Sequence, residues 1–326
     1  MKFLSIHKCI LFTMSILCFI CNSCKKISFS KDNITWHQIT NGDLYDIVFL
    51  DSLRGYAVGG IVYTQSEILA TNDGGNTWHN ITIDLNYNKT IFGVTALNDA
   101  LMAVGIDGKT YLNEGAPLSN WQAIQTYRWH AYKAIAFSSN DKGVIVGGRA
   151  HDYGEINNVD IWGNASNEMY FDFELTDILF TKNNIGFISG YGTMLKSTDE
   201  GAHWDTLSLK GDFFKAVHFQ EVNQTLWTVG YNGSIFRSKD LGLSWEKIRN
   251  GNNPFLKKMA LNNIFFIDDK IGFIVGDDGL ILKTNDGGNN WNAIKPFTKN
   301  DLHGIYGWGN QVFISGKNGT LFKLSI

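Results

Sequence analysis

The chain has 326 residues, with 31 acidic and 28 basic side chains, 13% aromatics, 34 glycines and only three prolines. No basic surplus marks it for nucleic acid, and few prolines beside many glycines and aromatics read as strands and tight turns, not linkers. Its four cysteines, Cys9, Cys18, Cys21 and Cys24, all lie at the start, so the chain beyond Cys24 has neither an internal disulfide nor thiol chemistry.

Lys2 and Lys8 precede an apolar run from Cys9 to Ile20, and small and polar residues then lead to Cys24. This is the layout of a secretory signal peptide, too short for a comfortable membrane span. Ser23 stands just before Cys24, as in bacterial lipoproteins, whose processing leaves an acylated Cys as the new first residue. The preceding Ile20-Cys21-Asn22 is a loose version of the usual pattern, and Cys21 is a poorer acceptor because bulky Ile20 precedes it. Residues 1–23 therefore read as a lipoprotein signal peptide, Cys24 as the lipidated residue, 24–34 as a tether and 35–326 as a single domain. Taking Lys2 and Lys8 from the 28 basic residues leaves 26 against 31 acidic, a net charge of about −5.

The rest of the chain is repetitive, which is the feature to look for first. Seven units follow in order: Asp43 to Ile83, Thr90 to Ile124, Ala131 to Phe173, Leu175 to Leu209, Phe213 to Ile248, Leu261 to Ile294, and Leu302 to Ile326. Each holds about four short apolar runs with Gly-containing hairpins, as in Val229-Gly230-Tyr-Asn-Gly233 and Val275-Gly276-Asp-Asp-Gly279. Four units end in one frame, Ser/Thr-x-Asp-x-Gly-x-x-Trp: Asp73, Gly75 and Trp78; Asp199, Gly201 and Trp204; Asp240, Gly242 and Trp245; Asp286, Gly288 and Trp291. Its physics is that of a hairpin turn, in which Asp accepts backbone N–H bonds, Gly takes positive φ and Trp enters the blade interior. In the second unit Trp121 holds the Trp place; in the third a longer segment, Arg149 to Phe173, replaces the regular hairpin.

The seventh unit lacks its final strand, and the missing piece stands at the other end. Trp36-His-Gln-Ile39 lies 42 residues before Trp78 and matches Trp78-His-Asn-Ile81. The expected architecture is all-β, a seven-bladed propeller of four-stranded blades whose last blade is closed by the N-terminal strand, which removes free sheet edges.

These repeats resemble the propeller family of the photosystem II assembly and stability factor, grouped with the wider Asp-box, or bacterial neuraminidase repeat, proteins. The resemblance covers nearly the whole mature chain and is specific for fold, poor for function. It implies an assembly chaperone without catalytic activity in photosynthetic members and exported proteins of unassigned role elsewhere; nothing in the residues implies photosynthesis. The Asn- and Lys-rich composition and the lipoprotein start resemble proteins of the Bacteroidota. In that group acidic residues after the acylated Cys resemble a surface-export signal; Lys25-Lys26 stand here instead, so the expected location is the outer membrane, facing the periplasm.

Sialidase chemistry needs three converging arginines. The five arginines, Arg54, Arg128, Arg149, Arg237 and Arg249, fall at non-equivalent repeat positions, where only Arg128 and Arg149 could be neighbours. Glycan hydrolysis needs two facing carboxylates; Asp46 and Asp177 share one repeat position, but Gly93, Ala134, Ala216, Asn263 and Gly304 elsewhere in that column suggest a crowded place where aspartates bond to backbone. Asn72 to Asn76 and Asp277-Asp278-Gly279 lack a full calcium-loop spacing, and the histidines, including His79, His203 and His218 at positions expected to be exposed, lack zinc-site spacing. No catalytic residue, metal or cofactor is assigned.

Binding is expected where the repeat breaks: Arg128, Trp129 and His130 between the second and third units, and Arg149, His151, Asp152, Tyr153 and Trp162 in the third. Trp129 and Trp162 either anchor a partner or fill the space of the absent Asp-box Trp. A second candidate surface is the variable column that starts each inner strand, Tyr45, Phe92, Lys133, Thr176, Lys215, Asn262 and His303, beside a uniformly bulky column, which suggests exposure at a central channel. The leading reading is a protein-binding scaffold or assembly factor in the envelope, held to the membrane by lipid; the alternative is a glycan-binding or glycan-hydrolysing lipoprotein.

Overall fold

Short apolar runs that bury both faces must stack against neighbours, and seven such units close into a ring. The computed structural model describes residues 33–81, 89–113, 121–126, 129–139, 141–253 and 258–326. Cys24, the signal segment and Arg128 lie outside them. The strands form seven four-stranded antiparallel sheets. The innermost strands are Asp43–Phe49, Ile91–Leu97, Tyr132–Ser139, Leu175–Phe180, Phe214–Gln220, Leu261–Phe266 and Leu302–Trp308. In the first six sheets the strands pair in chain order. In the seventh the outermost strand is Ile34–His37, with Ile34 opposite Leu324 and His37 opposite Leu321. Trp36 packs on Phe322 with ring centroids 5.1 Å apart, so the N-terminal strand closes the ring as its sequence match predicts. No helix among the described residues is long and apolar enough to cross a membrane.

Antiparallel connectivity gives the ring two faces. At the mouth face the innermost strands begin and the second and third strands are joined; at the turn face the third strand connects to the outermost. The repeated Asp–Gly–Trp turns occupy the turn face, where each makes the same bonds. Thr71 Oγ1 accepts from Gly75 N at 3.0 Å and donates to Asp73 Oδ1 at 2.8 Å, while Asp73 Oδ1 accepts from Thr77 N at 2.8 Å. Ser197 with Asp199, Ser238 with Asp240 and Thr284 with Asp286 repeat the pattern. Gly75 has φ +75°, and a Cβ there would overlap the Phe313 ring.

The tryptophans do not enter the interior of their own blade alone: each fills the seam with the preceding one. Trp78 packs with Phe313 of the seventh blade, Trp121 with Tyr56 of the first, Trp204 with Val144 of the third, Trp245 with Phe187 of the fourth and Trp291 with Trp227 of the fifth. The third blade, without this Trp, fills its seam with Phe137 and Val159 against Met102.

Two expectations need correction. The third blade keeps an outer hairpin rather than losing it: Tyr153–Val159 pairs with the seven-residue strand Ala165–Phe171, with a register shift between Ile156 and Asn158. Asp160 does the work of the turn aspartate there, accepting from Trp162 N and Asn164 N at 2.9 Å each. His218 is not exposed like His79 and His203: it packs against Phe265 and Phe266, and its Nε2 accepts from Phe266 N at 3.3 Å.

Candidate functional site

Six of the innermost strands begin with a bulky residue that is fully buried, and in the first Leu44 takes that place after Asp43. The next residue is the variable one, and there each blade's first strand pair slips register: between Leu44 and Asp46, Ile91 and Gly93, Tyr132 and Ala134, Leu175 and Asp177, Phe214 and Ala216, Leu261 and Asn263, and Leu302 and Ile305. A bulge leaves one residue unpaired and re-aims its side chain. The seven bulges therefore turn Tyr45, Phe92, Lys133, Thr176, Lys215, Asn262 and His303 into the central channel, where all seven line one cavity of about 280 Å³. The second strand carries a glycine opposite the start of the innermost strand, because a Cβ at Gly59, Gly105 or Gly147 would strike the carbonyl of Asp43, Thr90 or Ala131.

The cavity wall is part aromatic and part charged. Tyr45 stacks on His303 with centroids 5.2 Å apart and meets Phe92 edge-on at 5.0 Å. Lys133 Nζ lies 4.5 Å above the Phe92 ring and 3.6 Å from Glu174 Oε1. Thr176 Oγ1 donates to the Phe214 carbonyl at 2.8 Å, tying the fourth blade to the fifth. Burial pulls the Lys215 ammonium below the usual lysine range, opposed by Asp277 and Glu174, and pulls His303 down to about 4, which keeps it neutral at pH 7.

Next along each strand, Asp46 and Asp177 also line the cavity. Each carboxylate accepts one N–H from its own strand and one from the next blade: Asp46 from Ile47 and Val94, Asp177 from Ile178 and Val217, at 2.8 and 2.9 Å. Burial pushes Asp46 up to about 7 and Asp177 up to about 6, against those backbone bonds. Both are cross-ties between blades, as the crowded column suggests.

The residues singled out around the third blade separate into two places. Trp129, His130, Arg149, His151, Asp152 and Tyr153 stand at the mouth face with Lys215 and His303. Trp162 follows the far end of the seven-residue strand Tyr153–Val159, roughly 20 Å away at the turn face. Trp129 is 71% and Trp162 57% exposed, so neither fills the place of the absent Trp. His130 Nδ1 lies 3.1 Å from both oxygens of the buried Glu155, and its ring packs on Tyr153 at 4.7 Å. Arg149 Nε donates to Asp152 at 2.9 Å. The described arginines do not converge: Arg54 pairs with Asp51 and Asp99, and Arg237 with Glu246.

Three residues complete this rim that the search for broken repeats passed over. Tyr191 packs on His151 at 4.5 Å and on Phe213 at 5.2 Å, and Phe213 reaches Tyr231 at 6.5 Å. They line a groove of about 610 Å³ that shares Phe213 with the channel cavity. Tyr191 and Tyr231 sit in regular turns, Gly190-Tyr-Gly192 and Gly230-Tyr-Asn-Gly233, where an aromatic was the available signal.

Residues 155–256 and 211–284 match the family model described as photosynthesis system II assembly factor YCF48. The photosystem II assembly lipoprotein Ycf48 of Nostoc sp. (strain PCC 7120 / SAG 25.82 / UTEX 2576) is 34% identical over 84% of this chain and 93% of its own length. That of Prochlorococcus marinus (strain MIT 9312) is 27% identical over 83% and 95%. Among solved structures, YCF48 bound to D1 peptide superposes with a TM-score of 0.71 at 16% identity, covering 92% of this chain and 97% of that one. U3-55K gives 0.72 at 8% identity over 91% and 99%, so at such identities the likeness is one of fold alone. With a relative of this identity matched over nearly its whole length, the chain belongs to the photosystem II assembly factor Ycf48 family of β-propellers.

Proposed function

We propose that this chain is a non-catalytic protein-binding scaffold or assembly factor that grips an extended polypeptide across the mouth-face rim of blades three to five. The observation that carries the reading is the aromatic arc running from His151 through Tyr191 and Phe213 to Tyr231: Tyr191 and Tyr231 are 39% and 56% exposed although their rings pack on neighbours, and Trp129, at the same face, is 71% exposed. Exposed aromatics on a rigid frame are the composition of interface anchors. The relatives are named as assembly lipoproteins, and one solved neighbour is described as bound to a D1 peptide, which supports a polypeptide ligand; the partner of this chain is a protein of the same envelope.

The finer parts of the proposal concern location. Lipid on Cys24 holds the protein at the outer membrane, facing the periplasm, consistent with Lys25-Lys26 after the acylated residue. The outermost strand of the seventh blade runs from Ile34 at the turn face toward the mouth face. A tether that enters at the turn face leaves the aromatic rim pointing away from the membrane.

The test is an affinity capture from envelope extract with the detergent-solubilised full chain, comparing wild type with the triple variant Trp129→Ala/Tyr191→Ala/Tyr231→Ala, plus an arm with competing soluble glycans. A protein retained by wild type and lost by the variant is the expected result. Retention unchanged in the variant removes the arc from the interface, and displacement by glycan with no protein enriched replaces the scaffold reading with the glycan one.

A further inference from the structure

The channel mouth holds three polar groups whose bonding is incomplete among the described residues. Lys215 projects from the bulge of the fifth blade into the cavity, and no hydrogen bond or ion pair engages its ammonium among the described residues. The acids around it have other partners: Glu174 is 3.6 Å from Lys133, Asp277 accepts from Asn262, and Asp301 accepts from Lys317. Asn262 is only 8% exposed. Its amide orientation is fixed, because Nδ2 donates to Asp277 Oδ1 and to the Leu302 carbonyl at 2.9 Å each, both acceptors. Its Oδ1 is left buried with no donor, and so is the Nε2 of His303, whose ring is held flat against Tyr45.

An ammonium, a buried acceptor and an imidazole nitrogen on one wall specify a complementary guest. The ammonium asks for an anion and forms the stronger, charge-assisted bond. Asn262 Oδ1 asks for an N–H or O–H donor, and a buried acceptor without one is costly. The Tyr45 and Phe92 rings supply apolar walls, and about 280 Å³ is at the small end of ligand cavities. We propose that the channel mouth binds an amino-acid-sized carboxylate carrying a neighbouring N–H or O–H donor, with the carboxylate on Lys215, the donor on Asn262 Oδ1, and His303 Nε2 as the third contact. The carboxylate belongs either to a free small acid or to an acidic side chain of a bound polypeptide. The site shares Phe213 with the groove of the aromatic rim, but Lys215, Asn262 and His303 are not among the residues substituted in the capture test, so loss of protein capture and loss of carboxylate binding are separate results.

The test is calorimetric titration of the full chain in detergent with two probes: N-acetylglycine, a free acid with an adjacent N–H, and the blocked tripeptide acetyl-Ala-Glu-Ala-amide. Saturable binding of at least one is expected, and the tighter of the two assigns the source. Lys215→Met is expected to weaken the tighter probe tenfold or more, and His303→Phe, which keeps the stack on Tyr45, several-fold. Acetate, with no donor, should bind several-fold more weakly than N-acetylglycine. Lys317→Met, at a rim lysine already paired with Asp301, should change nothing; melting curves of all three variants report their folding. Absence of saturable binding by both probes, or equal affinity in folded Lys215→Met, overturns the site, and an equal loss in Lys317→Met reduces it to general rim charge.

Discussion

At the turn face, four blades meet the same backbone requirement with the same residues; at the mouth face, seven blades put six different residue types at one position. The turn needs a hydroxyl under Gly N–H, a carboxylate under the next N–H groups and a ring for the seam, so Thr71 and Asp73 reappear as Ser197 and Asp199 with nearly the same bond lengths. The bulge at the mouth is made by backbone and asks nothing particular of its side chain, so Tyr45, Lys215 and His303 occupy equivalent places with unlike chemistry. Repetition marks where the chain is held together, and variation marks where side chains are free to bind.

That contrast breaks first at the seams. Trp78 is 5% exposed between Phe49 and Phe313, and Trp78→Ala is expected to cost about 3–5 kcal/mol, read as a lower urea midpoint. A cost typical of a surface change would mean that the ring is not a seam filler. Ser197→Ala comes next: the hydroxyl is buried, and its removal leaves Gly201 N without its acceptor, at about 1–3 kcal/mol. An unchanged midpoint would show that the turn stands without the hydroxyl.

A pH comparison sharpens the mouth. Asp46 and Asp177, raised to about 7 and about 6 by burial, hold protons that the unfolded chain releases near pH 4. Their contribution to stability is present at low pH and is lost as the pH rises through those folded values. His218 and His303, pulled down to about 4, contribute stability that is present above about pH 6.5 and lost as the pH falls toward 4. The two pairs oppose one another between about pH 4 and 6.5. Asp46→Asn/Asp177→Asn removes one slope, so its melting temperature should climb with pH over this window more steeply than that of wild type; parallel curves would remove the aspartates from the linkage. The smallest effect belongs to the rim, where Trp129→Ala, Tyr191→Ala and Tyr231→Ala should each shift stability by less than about 0.5 kcal/mol. Losses well above that would make the arc part of the frame and weaken its reading as an interface.

The periodic residues by themselves determined the seven blades, their order, the four turns and the closing strand at Ile34–His37, because each follows from a local requirement repeated at fixed spacing and so is visible without long-range contacts. The variable column was legible for the same reason, as variation against a constant background. Tertiary structure alone decided that each Trp seals the seam with the preceding blade, that His218 is packed between Phe265 and Phe266, and that Trp162 stands at the opposite face from His151. It alone brought Tyr191, Phe213 and Tyr231 from two blades into one arc, since spacing along the chain does not reveal which turns lie side by side around the ring. It also decided the bulges that aim Lys215, Asn262 and His303 into the channel: a register slip depends on how two strands pair across the sheet, and neither strand carries that information alone.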